Sequence, residues 1–170
     1  DFVPRTAVIT LPGVAADGSN VNMDVVAVEA DMPVYLFTDE AGRAIITDEF
    51  DEKQTIKFEF PYNGVPTITL KNAKLINGQG NGLTIGRVNK QDAFDSVYFD
   101  CIINVEADSL ISGTYNTPGQ PGSFSGIYCQ HYGFLTITGP GKLSVTSEGM
   151  YPIVVDGFDL IMRNANMYVE

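Results

Sequence analysis

The stretch Gly133-Phe-Leu-Thr-Ile-Thr-Gly-Pro-Gly-Lys-Leu-Ser-Val145 decides how the chain is read, because it recurs. Upstream it is matched by Gly64-Val-Pro-Thr-Ile-Thr-Leu-Lys-Asn-Ala-Lys-Leu-Ile76, and downstream by Gly157-Phe-Asp-Leu-Ile-Met-Arg-Asn-Ala-Asn-Met-Tyr-Val169. A looser copy, Cys101-Ile-Ile-Asn-Val-Glu-Ala-Asp-Ser-Leu-Ile111, lies between them. Each copy is two short β-like runs around a corner of small or turn-forming residues. A unit that small cannot bury its own apolar face and has to stack on its neighbours.

The separation of the copies sets how they stack. With Thr67, Cys101, Leu135 and Leu160 as equivalent starts, the steps are 34, 34 and 25 residues. That is a basic turn of roughly two dozen residues carrying two insertions of about ten. A third apolar run falls between the paired runs, as Gly82-Leu-Thr-Ile85, Gly126-Ile-Tyr-Cys129 and Pro152-Ile-Val-Val155. Three runs per turn with Gly, Asn or Pro at the corners point to a parallel β-helix. A sandwich would instead join antiparallel neighbours by turns about every 8–12 residues. The expected architecture is all-β: a right-handed parallel β-helix of about four coils over residues 61–170, with an N-terminal β cap over residues 1–60.

Alternation supports the stacking. Leu135 and Ile137 point one way while Thr136 and Thr138 point the other, and Leu143 and Val145 stand likewise against Ser144 and Thr146. The inward aliphatics are core. Coils about 4.8 Å apart are expected to lay Leu70 over Met162-like positions and Leu75 over Met167-like positions.

The first sixty residues lack the repeat. Val34-Tyr-Leu-Phe-Thr-Asp-Glu-Ala-Gly-Arg-Ala-Ile-Ile-Thr47 reads as a hairpin closed around Asp39 to Gly42, and Thr55-Ile-Lys-Phe-Glu-Phe60 as a strand running into the first coil. This segment is expected to cover the strand edges at its end of the stack, which would otherwise invite aggregation. At the other end Asn166-Met-Tyr-Val169 begins a second run with no coil after it, so a homodimer or end-to-end association is expected.

At 170 residues the chain suits one domain with a sizeable core. No stretch approaches the roughly 18 apolar residues of a membrane helix, so no membrane span is expected. A formal charge of −11 with ten scattered Lys and Arg argues against nucleic acid as a partner. Cys101 and Cys129 sit in apolar runs on different faces of a coil and read as buried free thiols. A chain beginning at Asp1 fits an extracellular or cell-surface protein whose signal peptide has been removed.

The segment Gly126-Ile-Tyr-Cys-Gln-His-Tyr-Gly-Phe-Leu-Thr-Ile-Thr-Gly-Pro-Gly-Lys-Leu-Ser-Val-Thr146 resembles the repeats of carbohydrate-binding right-handed parallel β-helix proteins of cellulolytic and gut bacteria. The likeness extends over about residues 64–170. It implies a pectate-lyase-like fold without catalysis, a polysaccharide or cell-surface glycan as partner, and calcium in some members. The paired Asp that precede Leu-Thr-Ile in that pattern are here Gly133 and Phe134, then Phe158 and Asp159, which leaves Asp159 as the weak candidate metal ligand.

Catalysis on such a fold needs clustered carboxylates. The motifs of polygalacturonase-like sites are absent, and His131 is the only histidine. Arg87, Lys90, Asp92 and Asp95 share an insertion that reads as a solvated loop, and the acidic run Asp39, Glu40 and Asp48 to Glu52 as a hairpin rim. Tyr128, Gln130, His131 and Tyr132 lie around one corner beside an insertion carrying Tyr115, Asn116 and Phe124. Flat rings cover the apolar face of a pyranose while amides bond its hydroxyls, so these seven residues form the expected carbohydrate-binding site. The reading is an extracellular, noncatalytic protein binding plant or host polysaccharide. Two alternatives stand beside it: a polysaccharide lyase or hydrolase, and a structural adhesin-type surface protein.

Overall fold

β-Branched residues alternating with polar ones, interrupted by Asn, Gly and Pro, leave no run in which a helix could start. The structure, a computed structural model, describes residues 2–47, 53–90, 93–97, 100–114, 124–130, 133–148, 151–155 and 159–170, with 87–90 and 93–97 as backbone alone. The protein is all-β, with seventeen strands and no helix among the described residues. Among the described residues no helix is therefore long and apolar enough to cross a membrane.

Five strands come first: β1 (Arg5–Val14), β2 (Asn20–Val28), β3 (Val34–Thr38), β4 (Ala44–Thr47) and β5 (Ile56–Glu59). After them come β6 (Thr67–Lys71), β7 (Lys74–Asn77), β8 (Leu83–Lys90), β9 (Ala93–Val97), β10 (Cys101–Ala107) and β11 (Ser109–Gly113). The chain ends with β12 (Ile127–Cys129), β13 (Leu135–Thr138), β14 (Lys142–Ser147), β15 (Ile153–Val155), β16 (Leu160–Arg163) and β17 (Asn166–Val169).

Past residue 66 the strands fall into three parallel sets. The first runs β6, β10, β13, β16 and the second β7, β11, β14, β17. The third runs β8, β12, β15 and pairs the third apolar runs in the expected register, Leu83 with Ile127 and Ile153, and Ile85 with Cys129 and Val155. In the insertion of Arg87, Lys90, Asp92 and Asp95, expected as a solvated loop, residues 87–90 instead extend β8 and pair antiparallel with β9 over residues 93–97.

The corner between the first and second sets explains the repeated motif. Asn72 and Asn164 hold left-handed backbone there, with φ of 53° and 48°, and Gly139 does so at 111°. Asn tolerates that region through its short polar side chain. At Gly139 a Cβ would collide with the Val105 carbonyl oxygen, so the close approach of the next turn demands glycine.

Side-chain columns run through the interior, with one correction to the expected register. Thr67 stands beside Ile102 rather than Cys101, and a bulge between Val105 and Ala107 then absorbs a further residue. A slip of one residue exchanges the faces of a strand, so pairing is held to the register that keeps aliphatics inside. Met162 consequently continues the column Ile68, Ile103, Ile137, while Leu70 stands beside Val105. Leu75 leads through Ile111 and Val145 to Val169, and Met167 stands over Leu143 and Ser109.

The N-terminal strands meet the first strand of every set. β5 pairs antiparallel with β6, β1 pairs antiparallel with β8, and the Ile76 amide of β7 donates to the Gly42 carbonyl at 2.9 Å. β3 and β4 form the expected hairpin, closed by Asp39 and Gly42, and β2 lies antiparallel on β1. β15, β12, β8, β1, β4, β3, β5, β6, β10, β13 and β16 thus form one mixed sheet, onto which β2 and β9 also pair. Leu36, Ile56, Phe58 and Phe60 are sealed beneath this segment.

Candidate functional site

Alternation along β12 decides which side chains can meet a ligand. Ile127 and Cys129 face the interior and are buried, so Tyr128 points outward and is half-buried. Its row neighbours are Thr84 on β8 and Val154 on β15. The Gln130 amide donates to the Ile85 carbonyl at 3.1 Å, which carries the ladder one residue past the strand. Gln130, exposed, therefore shares the outward side with Tyr128. The pair offers a ring and an amide on a backbone held from both sides.

Phe124 marks the return of the adjacent insertion. It is half-buried, and its carbonyl accepts a bond from Ser147 Oγ at 2.7 Å. The following Ser125 is buried, its amide donating to Asn81 Oδ1 at 2.7 Å, and its carbonyl accepts from Gly82. Of the seven residues expected to form the site, Tyr128 and Gln130 are brought together, with Phe124 at the loop's return. Tyr115, Asn116, His131 and Tyr132 lie outside the described residues.

Of the carboxylates singled out in the sequence, Asp159 is exposed and Asp39 is paired. Asp159 is exposed just before β16, and its backbone carbonyl accepts from Leu135 at 3.2 Å. Asp39 accepts the Arg43 amide at 2.9 Å and pairs with its guanidinium at 2.8 Å. Burial works to raise that carboxyl, but the bonds and charge from Arg43 win and hold it below its usual range. Residues 48–52 and Asp92 lie outside the described residues, and Arg87, Lys90 and Asp95 are described as backbone alone. Among the described residues no three His, Cys, Asp or Glu side chains converge as a metal cluster.

Two carboxylates that the sequence reading passed over have a clear task. Asp100 Oδ1 accepts the Phe134 amide at 3.1 Å and Asp108 Oδ1 accepts the Lys142 amide at 2.8 Å. Phe134 immediately precedes β13 and Lys142 opens β14, so these side chains satisfy donors where the ladder begins. The signal was present as an Asp one residue ahead of each run of the looser copy, 34 residues before the amide it serves.

Cys101 and Cys129 are buried free thiols, as expected. Burial pushes Cys129 up to about 12. Burial, with Cys129 near enough to add repulsion, pushes Cys101 well above the usual thiol range. Neither carries a thiolate near neutral pH. Compared with known proteins, the chain matches no family model, no curated protein and no solved structure.

Proposed function

We propose that the chain is a right-handed parallel β-helix of about four coils that binds polysaccharide outside the cell without catalysing its cleavage. Three parallel sets joined through short corners support the architecture. The observation that carries the function is the outward placement of Tyr128 with Gln130 beside it, on a strand paired on both sides. Such a backbone fixes the ring before a sugar arrives, so little ordering remains to oppose binding. The ring covers the apolar face of a pyranose, and the carboxamide both donates to and accepts from its hydroxyls.

A glycan array probed with and without calcium tests this reading, the calcium arm addressing Asp159. Binding to plant or host polysaccharide is the expected result. Tyr128→Ala is expected to weaken the hit roughly tenfold, the equivalent of about 1.4 kcal/mol. Stability should move by less than about 1 kcal/mol, as for a change at a partly exposed position. An array without hits, or a hit indifferent to Tyr128→Ala, overturns the assignment. Release of unsaturated or reducing ends from an array hit would instead favour the lyase or hydrolase reading. A second reading, an adhesin-type surface protein that binds a protein surface or its own copy, is favoured by β16 and β17, which pair on one side only among the described residues.

A further inference from the structure

Away from β12, the N-terminal segment carries a cleft of about 200 Å³ lined by Phe2, Val3, Arg5, Glu29, Tyr62 and Asn63. Its floor is an ion pair. Arg5 donates from Nε and Nη2 to the two carboxylate oxygens of Glu29, at 3.0 and 2.5 Å, and from Nη2 also to the Gly64 carbonyl at 3.1 Å. The guanidinium lies 4.8 Å from the centre of the Phe60 ring. Glu29 Oε2 in turn accepts the amide of Asn63 at 3.0 Å, and Asn63 holds left-handed backbone with φ of 51°. The buried carboxylate therefore locks both the arginine and the turn that presents Tyr62 and Asn63.

Above this floor stand two aromatic walls. Phe2 and Tyr62 are 53% and 69% exposed. Their ring centres are 5.1 Å apart and the planes are inclined by 58°, so the rings touch but leave faces open to solvent. Three polar groups have no partner among the described residues: Arg5 Nη1, the Asn63 carboxamide and the Tyr62 hydroxyl. A small cleft with aromatic walls, a few fixed polar groups and an arginine already neutralised by its carboxylate selects neither cation nor anion. It suits a compact neutral ligand with one apolar face and a hydroxylated rim.

We propose that this cleft is a second sugar site, taking one neutral pyranose stacked on Tyr62, the more exposed of the two rings, with hydroxyls on Arg5 Nη1 and Asn63. It rests on the glycan-binding reading only for the class of ligand, since none of its residues is shared with the Tyr128 surface. A polysaccharide held at both places would gain avidity over either contact alone.

The test is a titration of the isotope-labelled chain with the methyl pyranosides of glucose, galactose, mannose and xylose, followed by NMR. At least one is expected to move the Arg5 Nε–H and Asn63 side-chain amide signals saturably at millimolar concentration. Tyr62→Ala should abolish that movement and weaken the array hit roughly tenfold, about 1.4 kcal/mol, with the thermal midpoint unchanged. Tyr128→Ala should leave the cleft titration intact. The proposal is overturned if none of the four probes moves these signals, or if Tyr62→Ala leaves their movement unchanged. Failure confined to Tyr62 leaves the Tyr128 reading standing, and failure confined to Tyr128 leaves the cleft standing.

Discussion

The two ends of the stack solve the same problem differently. In one column Ile68, Ile103 and Ile137 are 1%, 0% and 0% exposed, and the fourth member, Met162, is 42% exposed. In another, Leu75, Ile111 and Val145 are each 0% exposed and Val169 is 44% exposed. At the first turn β5, β1 and the Gly42 carbonyl meet β6, β8 and β7. At the last turn β15, β16 and β17 pair on one side only among the described residues. The difference teaches that a residue here is buried by the turns above and below it more than by its own turn. Stability therefore resides in the interfaces between neighbouring turns.

The strongest way to break the comparison is to put the same charge into the middle and the end of one column. Ile137→Asp is expected to abolish cooperative unfolding, a loss above about 4 kcal/mol, because the carboxylate has no partner in an apolar interior. Met162→Asp should cost less than about 1 kcal/mol, since its site is already wet. Urea unfolding of the two variants decides it, and equal losses would mean that the last turn is covered in solution.

A smaller effect is expected at the capped end. Glu29→Gln should cost about 2 kcal/mol, less than for a wholly buried pair because Arg5 keeps solvent contact. The side-chain bond from Arg5 outweighs burial and holds the Glu29 carboxyl below its ordinary 4.5. A depressed carboxyl stabilises the fold fully above its unfolded value and loses that contribution as pH falls through its folded value. The gap between the parent and Glu29→Gln should accordingly be constant at neutral pH and close below about 4.5. A gap that persists in strong acid would show that the pair does not act through its charge.

The smallest effect sharpens the contrast without changing the sequence. Backbone amides of β10 and β13 should exchange with solvent only on global unfolding, and those of β16 and β17 through local fraying. Uniform protection, with light scattering showing a dimer, would mean that a second copy covers the terminal strands.

Much of the repeat region was legible because stacking imposes a pattern on adjacent residues. Leu83, Ile127 and Ile153 could be aligned by their glycine or proline corners, and Tyr128 and Gln130 could be set on one side by alternation alone. The β3–β4 hairpin followed from Asp39 to Gly42 between two apolar runs. The offset between Thr67 and Cys101 was not legible, because runs of Thr and Ile align almost as well one residue apart, and only packing separates the faces. The cleft at Arg5 was not legible either, since its partners Glu29 and Asn63 are 24 residues from Arg5 and 34 from Glu29 respectively.

By itself, then, the sequence determined the all-β class, the runs that line up as parallel sets, the corners that take Asn or Gly, and the burial of the two thiols. Each of these follows from the chemistry of neighbouring residues, where turn preference and period-2 alternation act. Only the tertiary structure decided the register between turns, the route by which β5 and β1 close one end, the service of Asp100 and Asp108 to the next turn, and the meeting of Arg5 with Glu29. Those depend on which distant edges are left unpaired and which apolar faces still need cover, and residues far apart in the chain meet only when that requirement is satisfied.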